Sequence, residues 1–209
     1  MAHDKPHLEQ PKSPTRERVL DAAERLLARG GAAFSMRELA DEAGLSFATP
    51  FNQFGNKTAI MQALSARRIA MMREQLAQTK LLGNAVARVL TSVDIAATVM
   101  LAAPSVNRAV MGAISAPSDS PGNVWLSSGV LWSEALGAGE GLAVATRRTA
   151  FAVLPDQLAF AFRGVLSFWT AGELSDQALS LRARAAAATV LLGFVERDSR
   201  AELLALLGR

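Results

Sequence analysis

The 209-residue chain contains no cysteine and no tyrosine, and its two histidines, His3 and His7, both stand in the first few positions. Without cysteine there can be no disulfide, no thiolate nucleophile and no cysteine-built metal site, a composition that fits a reducing cytoplasm. The histidines belong to the polar run MAHDKPHLEQPKSP, which lacks the apolar core of a secretory signal. They read as solvated tail residues, because a metal site needs ligands fixed by a fold. Neither a metal nor a cofactor is therefore expected. Long hydrophobic runs are missing as well: IAATVMLAAPSVN and the stretch from Ser120 to Ser133 fall short of the roughly 18 to 20 apolar residues of a membrane span and are broken by proline, asparagine or glycine. A soluble, cytoplasmic protein with no membrane partner is expected. The same shortages argue against an enzyme, since the usual acid-base and nucleophilic groups are absent outside the tail. Carboxylates such as Asp94 and Glu134 remain and read as surface or capping residues.

Half of the residues are hydrophobic, enough for a sizeable core. The net charge of +3 permits an anionic partner without demanding one. Up to Ile60 the cations are matched one for one by acids, so position carries more than bulk charge: Lys12, Arg16 and Arg18 precede the first apolar stripe, Lys57 ends SFATPFNQFGNK, and Arg67 and Arg68 follow it.

Helical punctuation organises the first 60 residues. Val19, Leu20, Ala23, Leu26 and Leu27 fall on one helix face, with Ser13-Pro14 as cap and first position and Gly30-Gly31 as the stop. Ser35 and Glu38 have capping-box spacing; Met36, Leu39, Ala40 and Ala43 form the inner face of that helix, and Gly44 ends it in the left-handed conformation. Ser46 is the next cap, which makes Phe47 to Pro50 the first turn of a third helix and keeps the proline tolerable. Phe51 and Phe54, three apart, share a face assigned to the core against the first helix; Phe47, Ala48, Asn52 and Gln53 then face outward. Phe47 has an alternative, folding back on the preceding helix as a core residue. Gly55 breaks the third helix, and Asn56 caps a fourth running from Lys57 to about Thr79. Two short helices joined by a tight glycine turn, behind a supporting helix, make a helix-turn-helix.

The rest of the chain reads as helices at 57–79, 84–103, 105–116, 123–137, 156–171 and 175–196, with a short one near Ala201 and no strand pattern. Pro104, Pro117, Pro121 and Pro155 mark breaks, SAPSDSPGN is a turn-rich loop, and GAGEGLAV is a flexible joint. Between Ile95 and Ser133 only Arg108 and Asp119 carry charge. Met100, Met111, Trp125, Trp132, Phe162, Leu166 and Trp169 are expected to gather inside a bundle, where methionine and tryptophan can line an adaptable pocket or simply fill a core. Arg163 offers one polar contact there, with solvent the favoured reading. LSLRARAAAATVLLGFV and AFAFRGVLSFW are apolar on several faces and must be covered on several sides.

The run from Thr15 to Leu64, through VLDAAERLLARGG, SMRELADEAGLS and FNQFGNKTAIMQAL, resembles the DNA-binding domain of the TetR family of bacterial transcriptional repressors. It departs from that pattern where Pro50 and Phe51 replace a usual leucine and tyrosine. The tyrosine hydroxyl commonly contacts a phosphate, which Phe51 cannot do. The major groove admits one helix whose first turns meet base edges. Phe47 and Ala48 can press on thymine methyls and Asn52 can bond an adenine edge, while Ser46, Thr49, Gln53 and Lys57 hold phosphates; Arg16, Ser35 and Arg37 complete the expected DNA-facing set. The resemblance further implies a small inducer bound in the bundle, which the tryptophan and methionine content makes apolar or aromatic, and a homodimer formed through the last two long helices.

The expected protein is thus all-α: a tail at 1–13, a three-helix helix-turn-helix domain at 14–60, and a helical ligand-binding and dimerisation bundle at 61–209. Its expected function is that of a ligand-responsive repressor released from a palindromic operator. The competing reading is a helical protein-interaction adaptor without specific DNA binding.

Overall fold

The computed structural model describes residues 14–30, 34–80, 83–117 and 122–208. The tail at 1–13, with His3, His7, Lys12 and the Ser13 cap, lies outside the described residues, as do Gly31 and Pro121. Contacts divide the chain into two compact units, one ending at Ile60 and the other beginning at Met61.

In the first unit, α1 (Pro14–Ala28) opens on proline, whose missing N–H would have no intrahelical partner at that position. Its buried stripe is Val19, Leu20, Ala22, Ala23 and Leu27. α2 (Met36–Ala43) carries the anticipated capping box: Ser35 N–H donates to Glu38 Oε2 at 2.6 Å and Glu38 N–H to Ser35 Oγ at 3.2 Å. Gly44 closes α2 at φ +62°, a left-handed angle that side chains disfavour. α3 spans Ala48–Phe54 and packs on α1 and α2.

α4 (Lys57–Gln78) is capped by Asn56, whose Oδ1 accepts from Ala59 N–H at 2.9 Å, and it carries the chain into the second unit. There α5 (Ala85–Leu101) buries residues on most of its faces and therefore sits inside the bundle. The chain bends by 98° into α6 (Pro104–Ala113), where Pro104 occupies the first turn. α7 (Val124–Leu136) and α9 (Asp176–Leu191) pack on α5, and α8 (Arg147–Thr170) lies between α7 and α9 and also against α6; α10 (Arg197–Leu207) closes on α9. Most helix bounds fall within a few residues of the sequence expectation.

Two differ for physical reasons. The expected break at Pro155 is absent, and α8 runs through it as a 24-residue helix. An interior proline removes one hydrogen bond, to the carbonyl four residues earlier, and the buried stripe of Ala150, Leu154, Leu158, Phe162, Leu166 and Trp169 outweighs that loss. The expected flexible joint GAGEGLAV is instead pinned. Ala85 N–H bonds Glu140 O at 2.7 Å, Ala143 N–H bonds Phe194 O at 2.8 Å and Glu196 N–H bonds Gly141 O at 3.0 Å, around a fully buried Leu142. By length and composition α8 would suffice to cross a bilayer, although seven of its residues are buried in the bundle.

Candidate nucleic-acid interface

The helix-turn-helix is locked from behind by arginines. Arg18 Nη2 donates to the carbonyls of Ala43 and Gly44 at 2.9 and 3.2 Å, fixing the turn after α2. Glu42 holds Arg25 at 2.7 Å and also Arg29, and these two guanidiniums keep its carboxyl below the ordinary carboxylate value. Glu38 is likewise lowered, chiefly by the Ser35 backbone N–H.

α3 begins differently from the sequence expectation. Ser46 is not its cap: the helix starts at Ala48, Phe47 holds the cap position with helical angles and makes no side-chain cap, and Ser46 Oγ lies 2.8 Å from Thr49 Oγ1. Pro50 is the third helical residue, where the amide it lacks has no intrahelical acceptor, and its ring is buried. Phe51 is a second correction. It does not join Phe54 in the core but is 41 % exposed, set edge-on against Phe47 with ring centroids 5.3 Å apart. The buried face of α3 is set by Pro50, and Phe54 is covered by the Arg16 guanidinium 4.0 Å above its ring. Phe47 and Phe51, four apart, therefore share the outer face. Arg37 lies 5.4 Å over the Phe47 ring.

Of the expected DNA-facing residues, Ser35, Arg37, Ser46, Phe47, Ala48 and Asn52 are exposed, and Thr49, Gln53, Lys57 and Arg16 are half-buried. The Asn52 side-chain amide has no protein partner among the described residues. Arg16 Nη1 donates to Gln53 O at 2.9 Å, so its charge ties α1 to α3. Lys57 Nζ donates to Phe34 O at 2.9 Å and lies 4.2 Å from the centroid of the Phe34 ring; desolvation lowers its pKa, with Glu38 opposing. Reading the sequence missed Phe51 as an outward residue because spacings of three and four both put a pair on one helix face.

In the second unit, Met100, Met111, Trp132, Phe162, Leu166 and Trp169 all belong to one buried cluster. Trp132 meets Phe162 edge-on at 5.7 Å. Trp125 does not join them: it is 52 % exposed, stacked on Phe160, and donates Nε1–H to Asp156 at 3.1 Å. Its place in the first turn of α7 points it outward. Arg163, for which solvent was the favoured reading, is half-buried and turned onto α6, with Nη1 3.3 Å from Met111 Sδ and Nη2 donating to Ser115 Oγ at 2.9 Å. A separate cleft of about 340 Å³, lined by Val86, Leu90, Arg184, Glu202, Leu203 and Leu206 among others, includes none of the expected ligand residues.

Residues 19–64 match the sequence model of bacterial regulatory proteins of the tetR family. No curated protein matches the chain in sequence. Among solved structures, a TetR transcriptional regulator from Rhodococcus sp. RHA1 is 21 % identical with a TM-score of 0.68, the match covering 85 % of this chain and 95 % of that one. The TetR-family protein CprB from S. coelicolor A3(2) is 20 % identical with a TM-score of 0.54, covering 94 % and 97 %. A gamma-butyrolactone receptor described as ArpA-like is 16 % identical with a TM-score of 0.53, covering 93 % and 95 %. Residues 19–64 thus match the tetR-family DNA-binding domain, and the chain as a whole shares its fold with regulators of that family.

Proposed function

We propose that the protein is a ligand-responsive, site-specific repressor that binds a palindromic operator as a homodimer. The observation that carries this reading is the outer face of α3, where Phe47, Ala48, Phe51 and Asn52 stand exposed on a framework whose other charges are largely engaged within the unit. In the groove, the two aromatic rings press on thymine methyls and the Asn52 amide bonds an adenine edge. Arg37, Ser35 and Ser46 contact phosphates, which orient the helix without reading sequence. Thr49, Gln53, Arg16 and Lys57 add to that set at its inner edge.

The ligand site of this reading is the cluster of Met100, Met111, Trp132, Phe162, Leu166 and Trp169. Methionine adapts to an incoming apolar body better than branched side chains do. α4 is the covalent route from that unit to the DNA-binding one. Arg68, only 9 % exposed, donates Nε–H to Asn107 Oδ1 at 2.8 Å, and Asn107 donates in turn to the carbonyls of Val99 and Met100. A ligand that repacks the corner between α5 and α6 thereby acts on α4. It weakens DNA binding only to the extent that it prefers one packing, and DNA weakens ligand binding by the same factor.

The test is fluorescence anisotropy of the purified protein against duplexes tiled across the DNA flanking its gene, with scrambled controls at about physiological salt. A tile bound roughly a thousandfold tighter than its scramble is the expected result. Weak binding indifferent to sequence, from a folded preparation, would overturn the reading in favour of a protein-interaction adaptor.

A further inference from the structure

Four bundle arginines pair with carboxylates: Arg73 with Glu134, Arg88 with Glu140, Arg108 with Asp176 and Arg184 with Asp94. Arg163 makes no such pair and is turned into the α6–α8 seam instead. It sits at the middle of α8, half-buried against α6, and faces no carboxylate among the described residues. A guanidinium carries five N–H donors. Two of its bonds are made, one to the Ser115 hydroxyl and one to the Met111 thioether, a weak acceptor. Desolvation holds its pKa below the ordinary arginine value, the direction expected where a cation has lost water without gaining an anion.

The surroundings define the rest of a ligand. Met111, Phe162 and Leu166 are buried beside Arg163 along the seam between α6 and α8, and Trp132 lies behind Phe162. Thr170, seven residues on and so about 10 Å further along the same face of α8, has a buried Oγ1 with no hydrogen-bond partner. It stands against Gly112 of α6, where even a methyl group would lie 3.9 Å from its Cγ2. A polar cation at one end, apolar side chains between and an unsatisfied hydroxyl at the other end describe an elongated amphipathic site.

Resting on the ligand-responsive reading above, we propose that the ligand is a carboxylic acid with an apolar body, its carboxylate paired with Arg163 and its body lying along the α6–α8 seam. A carboxylate meets the planar guanidinium with two parallel hydrogen bonds, displacing the Met111 thioether from Nη1. The flexible methionine is the side chain most able to yield. Ser115, whose O–H donates to Met111 O at 2.7 Å, keeps its hold on Nη2 and fixes the guanidinium for the incoming carboxylate.

The experiment compares matched acid and amide probes, decanoate with decanamide and 4-phenylbutyrate with 4-phenylbutanamide, by calorimetry and tryptophan fluorescence on the full chain. At neutral pH at least one acid should bind about tenfold or more tighter than its amide. Arg163→Gln should abolish that preference, with far-UV circular dichroism and the melting temperature reporting that the bundle remains folded. The acid–amide comparison on the unaltered protein needs no variant and stands if Arg163→Gln fails to fold. Equal binding of acid and amide, a preference that survives in Arg163→Gln, or no binding of any probe would each overturn the proposal. Operator anisotropy in the same series separates the two readings. Acid binding through Arg163 with unchanged DNA affinity sinks the ligand-responsive function and leaves the site; release of DNA by neutral compounds without acid binding does the reverse.

Discussion

Asn52 stands exposed on α3 with its amide unpaired, so its replacement removes little from the fold and, on the proposed function, a base contact. Asn52→Ala is expected to weaken operator binding by about 1–3 kcal/mol while affinity for scrambled duplex stays the same, as read by anisotropy. Equal losses on both duplexes would make Asn52 a phosphate contact instead. Glu42 acts within the framework instead, tying α2 to Arg25 and Arg29. Its folded pKa is lowered from 4.5, so it stabilises the fold above that value and the contribution fades as pH falls through the folded pKa. Glu42→Gln should lower the melting temperature at pH 7, and the gap from the parent should close as pH drops below about 4.5. A gap that persists unchanged in acid would refute the ionic role. Lys57 has the reverse sign: its lowered pKa means that stability rises as pH climbs through its folded value toward 10.5. At this scale the sequence read Asn52 outward but misplaced Phe51, because choosing between spacings of three and four requires knowing that the Pro50 ring is the one that packs inward.

Helix punctuation was the most legible feature at the scale of elements. Serine three residues before glutamate and a glycine six residues after it specify α2 locally, since the capping bonds and the left-handed angle need no distant partner. Gly44→Ala should therefore destabilise the first unit by about 1 kcal/mol, measured by denaturant unfolding. A neutral result would mean that the turn relaxes out of its left-handed angle. Proline and glycine were weaker guides inside the bundle. Pro155 did not end α8, and three glycines with positive φ at 137, 139 and 141 made a tight turn rather than a loose joint. In both places long-range packing and cross-chain backbone bonds, invisible to a local reading, decided the outcome.

For the whole molecule, the exposed side of α8 is the feature that a lone protomer leaves unexplained. Phe160, Gly164 and Phe168 recur at every fourth residue, Trp125 stacks on Phe160, and Leu181 is exposed on α9. A contiguous apolar face of this kind marks an interaction surface, and a twofold pairing would bury it while presenting two copies of α3 to a palindrome. Phe168→Asp should shift the protein from dimer to monomer in sedimentation and weaken operator binding severely, with little change in helical content. A dimer that survives the substitution would place the interface elsewhere. The all-helical architecture, the helix-turn-helix and most of the buried methionine–tryptophan cluster were readable from the residues alone, because capping, turn chemistry and the 3.6-residue period are short-range properties. The inward turn of Arg163, the outward turns of Phe51 and Trp125, and the continuity of α8 were decided only by the tertiary structure. Each depends on which of two permissible faces meets a neighbour, and that neighbour lies far away in sequence.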